Sequence, residues 1–238
     1  MKYLIGNWKM NGAQALLNQF TQTITHASLN HSQLYLGLGI PSPYINDAVN
    51  EFNSKGIHIG AQTVSTFSAG AFTGQVSAAM LKDVGANFTL VGHSERRHHE
   101  TVANTQAQIE QCFLNHIQPI LCVGESLEAY RNDKTTSVLE DQLTPLHVLN
   151  PPTNQKWIIA YEPTWAIGSG LTPSAEEIRM VVDWLKSQHE CDVLYGGSVS
   201  ANNLASILAT GADGALVGGA SLDVEQFNKM VDICIQSF

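Results

Sequence analysis

Eight short apolar runs, each followed by a stretch with helical spacing, constrain this chain more than any other feature. The runs cover residues 3–8, 34–40, 57–62, 88–93, 119–123, 157–161, 193–196 and 214–217. Their brevity and unbroken apolarity fit strands buried on both faces, as in a parallel sheet. Between them apolar residues recur every three or four positions. Ile109, Cys112/Phe113 and His116/Ile117 form one such set, Val181/Val182 and Leu185 another, Leu204 and Leu208 a third, and Phe227, Met230/Val231 and Cys234 a fourth. Parallel strands joined by crossover helices give either a doubly wound sheet or a closed barrel. Eight such units in 238 residues, with no linker or low-complexity stretch, favour an α/β fold. The form expected is a single (β/α)8 barrel over residues 1–238.

Charge and cysteine usage narrow the function classes. A formal net charge of −9 argues against nucleic acid or an anionic membrane as partner, so an anionic ligand would need a local device. Cys112, Cys122, Cys191 and Cys234 show no C-x-x-C pair and no metal-ligand spacing. Buried reduced thiols and a cytoplasmic location are expected. A strand starts at once with Tyr3-Leu4-Ile5-Gly6, and no apolar run approaches the roughly 18 residues of a membrane span. Neither a leader nor a membrane anchor is expected.

In a barrel of this kind the active site gathers where the strands end and the βα loops begin. Strand one ends in Asn7-Trp8-Lys9, strand four in His93-Ser94-Glu95 and strand six in Glu162. Strand seven ends in Gly196-Gly197-Ser198 and strand eight in Gly218-Gly219. Glu162 is the most informative of these. A carboxylate at a buried strand tip costs stability unless paired, yet desolvation there makes it a better base. Pro163 stops the strand, and Gly168-Ser169-Gly170 follows before a helical pattern over 175–186 with Thr172 or Ser174 as its cap. That arrangement predicts a base beneath a mobile lid.

These residues resemble the triosephosphate isomerase family. The likeness is carried by Gly6-Asn7-Trp8-Lys9-Met10-Asn11-Gly12, Gly60-Ala61-Gln62, Gly70-Ala71-Phe72-Thr73-Gly74 and Gly92-His93-Ser94-Glu95-Arg96-Arg97. It continues through Tyr161-Glu162-Pro163, Trp165-Ala166-Ile167-Gly168, Tyr195-Gly196-Gly197-Ser198-Val199 and Val217-Gly218-Gly219-Ala220-Ser221-Leu222. The motifs come in the family's order and span the chain. The resemblance implies a TIM barrel that interconverts dihydroxyacetone phosphate and glyceraldehyde 3-phosphate in glycolysis and gluconeogenesis, with no cofactor and no metal.

That chemistry needs a base for a C–H proton next to a carbonyl, an electrophile for the enediolate and a proton returned to the neighbouring carbon. Glu162 suits the base. His93 suits the electrophile, because a helix opening at Ser94-Glu95 would disfavour imidazolium and leave a neutral donor. Lys9 supplies positive charge, and by resemblance Asn7 helps hold the developing charge. Glu95 fixes Lys9 by resemblance, with Ser94 beside it. Gly168, Gly197-Ser198 and Gly218-Gly219 let backbone N–H groups approach a phosphate dianion, and residues 220–222 begin a short helix facing it.

The lid, residues 163–173, must shut so that the enediolate keeps its phosphate. Here the sequence departs from the usual family pattern: Thr164 replaces Val, Ser169 Thr, Leu171 Lys and Pro173 Ala. Pro173 would stiffen the second hinge.

A long loop over 63–82, apolar at Val64, Phe67 and Phe72, predicts a docking element. By resemblance it joins a homodimer in which Thr73 of one subunit lies beside Asn7 and Lys9 of the other. Thr63 and Gln75 depart from a common Asn and Glu, and Gln75 cannot make the ion pair that the Glu makes with an arginine, here Arg97. The chain is also short after Arg97 and between Trp184 and Val193. His98 and His99 read as exposed residues rather than metal ligands. Two rival readings remain open: another sugar-phosphate isomerase or epimerase, and a catalytically inactive barrel scaffold. The first does not need Asn7, Lys9, His93 and Glu162 together, and the second should lose at least one of them.

Overall fold

In the computed structural model, which describes residues 1–23, 33–167 and 171–237, the eight apolar runs form one closed parallel barrel. Its strands are β1 (Lys2–Asn7), β2 (Leu34–Gly39), β3 (Ile57–Ala61), β4 (Phe88–Val91), β5 (Gln118–Val123), β6 (Trp157–Tyr161), β7 (Cys191–Tyr195) and β8 (Gly214–Val217). Each strand pairs with its neighbour in sequence, and β8 closes on β1 with Gly214 opposite Tyr3. The outer layer holds α1 (Gln14–Thr23), α2 (Ile45–Phe52), α3 (Ala78–Asp83), α4 (Val102–Leu114) and α5 (Leu127–Arg131). It continues with α6 (Thr135–Gln142), α7 (Thr144–Val148), α8 (Ala175–Gln188), α9 (Leu204–Leu208) and α10 (Val224–Gln236).

Two cores result from this layering. Tyr3, Ile5, Phe88, Leu90, Ile120, Ile158, Leu194 and their neighbours fill the barrel interior. Alternate residues of the same strands face the helices, where Phe227, Met230, Val231 and Cys234 of α10 and Ile178, Val182 and Leu185 of α8 cover them. Cys112, Cys122 and Cys234 are buried free thiols, whereas Cys191 is only half-buried. Burial pushes the Cys234 thiol up to about 12, so it stays protonated and poorly nucleophilic at neutral pH.

Three local expectations are corrected. The pattern that placed His116 and Ile117 in a helix fails, because α4 stops at Leu114 and His116 turns left-handed with φ 54°. The long third loop ends at Ser77 rather than Lys82. The Ser77 hydroxyl accepts from the Met80 N–H at 3.3 Å and caps α3, a helix of good formers. Ser94-Glu95 opens no helix; residues 94–99 form overlapping turns. Helical bonds begin there, Arg96 N–H to the His93 carbonyl at 2.8 Å, but do not propagate. The Arg97 N–H also reaches the His93 carbonyl, at 3.2 Å, while its guanidinium donates to the carbonyl oxygens of Gly124 and Cys122.

Candidate active site

The carboxyl ends of the strands enclose a cleft of 460 Å³ whose lining includes Asn7, Lys9, His93, Glu162, Ser198 and Gly218. Each sits on the last residue of a strand or just past it, so the barrel's geometry, not sequence proximity, assembles the set. Gly219 lines the same cleft. Gly168, expected among the phosphate contacts, lies outside the described residues together with Ser169 and Gly170.

Glu162 is 2 % exposed and His93 4 %. Glu162 Oε1 lies 3.2 Å from His93 Nε2. The backbone N–H of Glu95 donates to His93 Nδ1 at 3.2 Å. An amide can only donate, so Nδ1 accepts, and the neutral ring carries its proton on Nε2, aimed into the cleft. The sequence suggested a neutral ring through a helix dipole and named no tautomer; in the structure one backbone amide, that of Glu95, faces Nδ1 instead. The Asn7 amide nitrogen is 3.3 Å from the same Nε2, but its oxygen is occupied by the Lys9 N–H at 3.0 Å and by Gln62 Nε2 at 3.1 Å. Asn7 therefore presents N–H to the cleft beside His93.

Lys9 adopts a left-handed backbone, φ 52°, unusual for a side chain of its size. Its carbonyl accepts from Gln62 Nε2 at 2.9 Å, and its Nζ donates to Glu95 Oε1 at 2.6 Å. The expected Lys9–Glu95 pairing is present. Ser94 is half-buried in the same run of turns and lines a neighbouring pocket with Glu95. The Ser198 hydroxyl donates to the Ala166 carbonyl at 2.8 Å, tying β7's loop to the base of the lid. Residues Gly219–Leu222 form the expected short helical turn, and a Cβ at Gly219 would meet no heavy atom within 4 Å. That open space suits the approach of an anion.

Sequence reasoning missed three residues. Gln62, one position beyond β3, holds Asn7 and Lys9 through one amide. Glu125, two positions beyond β5, is fully buried; its Oε1 accepts from Tyr161 Oη at 3.2 Å and Trp165 Nε1 at 2.8 Å. Gln142, at the end of α6, accepts from the Gly124 N–H at 2.8 Å and donates to its carbonyl at 3.0 Å. The signal for the first two was present, since polar residues just past strands three and five lie on the same rim. Nothing local singles out Gln142. Among the lid departures, Thr164 gains a contact, because its hydroxyl donates to the Glu125 carbonyl at 2.9 Å. Leu171 is exposed and Pro173 buried, and Ser174 caps α8 in a reciprocal pair with Glu177.

The chain is similar to known proteins along nearly its whole length. The family model described as triosephosphate isomerase matches residues 2–234. A triosephosphate isomerase of Mesomycoplasma hyorhinis is 39% identical, covering 97% of each chain. That of Marinobacter nauticus is 39% identical over 98% of this chain and 96% of its own. The crystal structure of triosephosphate isomerase from Bartonella henselae superposes with a TM-score of 0.85 at 29% identity, covering 98% of both chains. Eight parallel strands, a carboxylate and an imidazole in contact at the rim and these likenesses converge: the chain belongs to the triosephosphate isomerase family.

Proposed function

We infer that the protein interconverts dihydroxyacetone phosphate and D-glyceraldehyde 3-phosphate through an enediolate. The observation that carries the reading is the contact between two buried groups of opposite duty, Glu162 Oε1 and His93 Nε2 at 3.2 Å, at the floor of one cleft. Glu162 takes the proton from the carbon beside the carbonyl and returns it to the neighbouring carbon. The Nε2–H of His93 donates to the substrate oxygens, and the Lys9 ammonium with the Asn7 amide steadies the negative charge that develops there. Ser198, Gly218, Gly219 and Gly168 hold the phosphate largely through backbone N–H groups, which suits a chain of net charge −9. A coupled assay on glyceraldehyde 3-phosphate tests the reading; a folded protein without turnover would refute it.

The chain is read as a single cytoplasmic barrel domain that works as a homodimer. No helix among the described residues is long and apolar enough to cross a membrane. Support for a dimer comes from the loop after β3, whose tip exposes Phe67 stacked on Phe72 with ring centroids 3.9 Å apart. A cavity of 440 Å³ lined by Val64, Gln75, Arg96, Glu100 and Gln108 lies beside it. Thr73, exposed on the same loop, is the residue set to reach the other subunit's Asn7 and Lys9. Gln75 accepts from the Ser65 hydroxyl at 2.6 Å, and Arg97 is committed to carbonyls of its own chain, so the interface carries one charged contact fewer. Sedimentation at micromolar concentration is expected to give a dimer, and a monomer there would overturn this part.

A further inference from the structure

The two ends of the lid meet on one side chain that the reaction itself does not use. Trp165 lies in the first hinge, and its indole stacks on the ring of Tyr130 from α5, with centroids 4.5 Å apart and planes 30° from parallel. The Tyr130 hydroxyl donates to Glu177 Oε1. Glu177 in turn closes the second hinge: its Oε2 accepts from both the N–H and the hydroxyl of Ser174 at 2.7 Å, and the Ser174 hydroxyl accepts from the Glu177 N–H. One aromatic residue outside the lid thus touches the segment where the lid leaves β6 and the cap where it enters α8. The Tyr130 hydroxyl and the Ser174 contacts hold the Glu177 carboxyl below its usual range, which keeps the acceptor charged.

We propose that Tyr130 is a positioning residue that couples the two hinges of the lid, its ring holding Trp165 and its hydroxyl holding Glu177. The proposal rests on the isomerase reading for its kinetic consequence but not for the coupling. A hinge freed at one end closes less cooperatively over the substrate, and hinge changes move kcat and KM together. Tyr130→Phe keeps the stacked ring and removes only the bond to Glu177, so the fold should survive. It is expected to lower kcat/KM roughly three- to tenfold.

The coupling is read separately by a double-mutant cycle on the time-resolved anisotropy of Trp165, isolated by subtracting matched Trp165→Phe proteins. Glu177→Ala should loosen Trp165, across the lid, in the wild-type background and have little further effect in the Tyr130→Phe background. Equal loosening in both backgrounds, or none in either, would overturn the proposal. Unchanged kinetics in Tyr130→Phe would overturn its consequence for turnover. An inactive wild-type protein would instead refute the isomerase reading, while the anisotropy cycle would still decide the coupling.

Discussion

Shortening the base by one methylene, Glu162→Asp, is expected to lower kcat on the order of 10²-fold while KM changes little. The carboxylate would withdraw by roughly 1 Å, and a displacement of that size is costly when reacting atoms must lie in near-attack geometry. The surroundings prevent the backbone from making up the distance. Gly196 packs so closely that a Cβ there would stand 2.7 Å from Glu162 Cγ, and the Glu162 N–H is bound to the Val123 carbonyl at 2.7 Å. Reach must therefore come from the side chain. The coupled assay reads both parameters. An undiminished kcat would show that Glu162 is not the base, and a rise in KM alone would assign it to substrate binding.

That prediction was available from the sequence because the residues behind it are local. The run 157–161 reads as a strand and Pro163 as its end, and β6 has those bounds. The same holds for β8 at Gly214–Val217. Burial on both faces makes such runs unbroken and easily read, and a barrel then gives the residue after each run a place on the rim. What escaped notice depends on partners far along the chain. Glu125 earns its position from Tyr161 and Trp165, Tyr130 from Glu177, and Gln142 from a turn closed 18 residues earlier. No periodicity reports a hydrogen bond between two separate loops. At Ser94, too, the partners that matter are distant: the Arg97 backbone stays in the turn, bound to the His93 carbonyl, while its guanidinium reaches carbonyls at the end of β5 and just beyond it. Propensity is a weak prior wherever such a tertiary contact competes with it.

The second large effect falls on a residue that does not line the cleft. Gly124→Ala is expected to reduce kcat on the order of 10²-fold or more and to destabilise the protein by about 1–3 kcal/mol. A Cβ at this position would lie 1.8 Å from the Glu162 carbonyl oxygen and 2.4 Å from its carbon, so one backbone must move. Gly124 is the less free of the two. Gln142 grips its N–H at 2.8 Å and its carbonyl at 3.0 Å, and Arg97 donates to the same carbonyl at 3.0 Å. The strain therefore passes to Glu162 and to the lid hinge, whose Thr164 N–H is bound to Glu125 at 3.0 Å. Urea unfolding and the coupled assay measure the two effects on one protein. Adding Gln142→Ala provides the decisive comparison, because releasing Gly124 lets residue 124 retreat. The double variant should lose less stability than the two single losses combined, since sites sharing one strained contact do not add. Strict additivity would mean that the clash is relieved without Gln142, and a fully active Gly124→Ala protein would mean that this close approach does not hold the base in place.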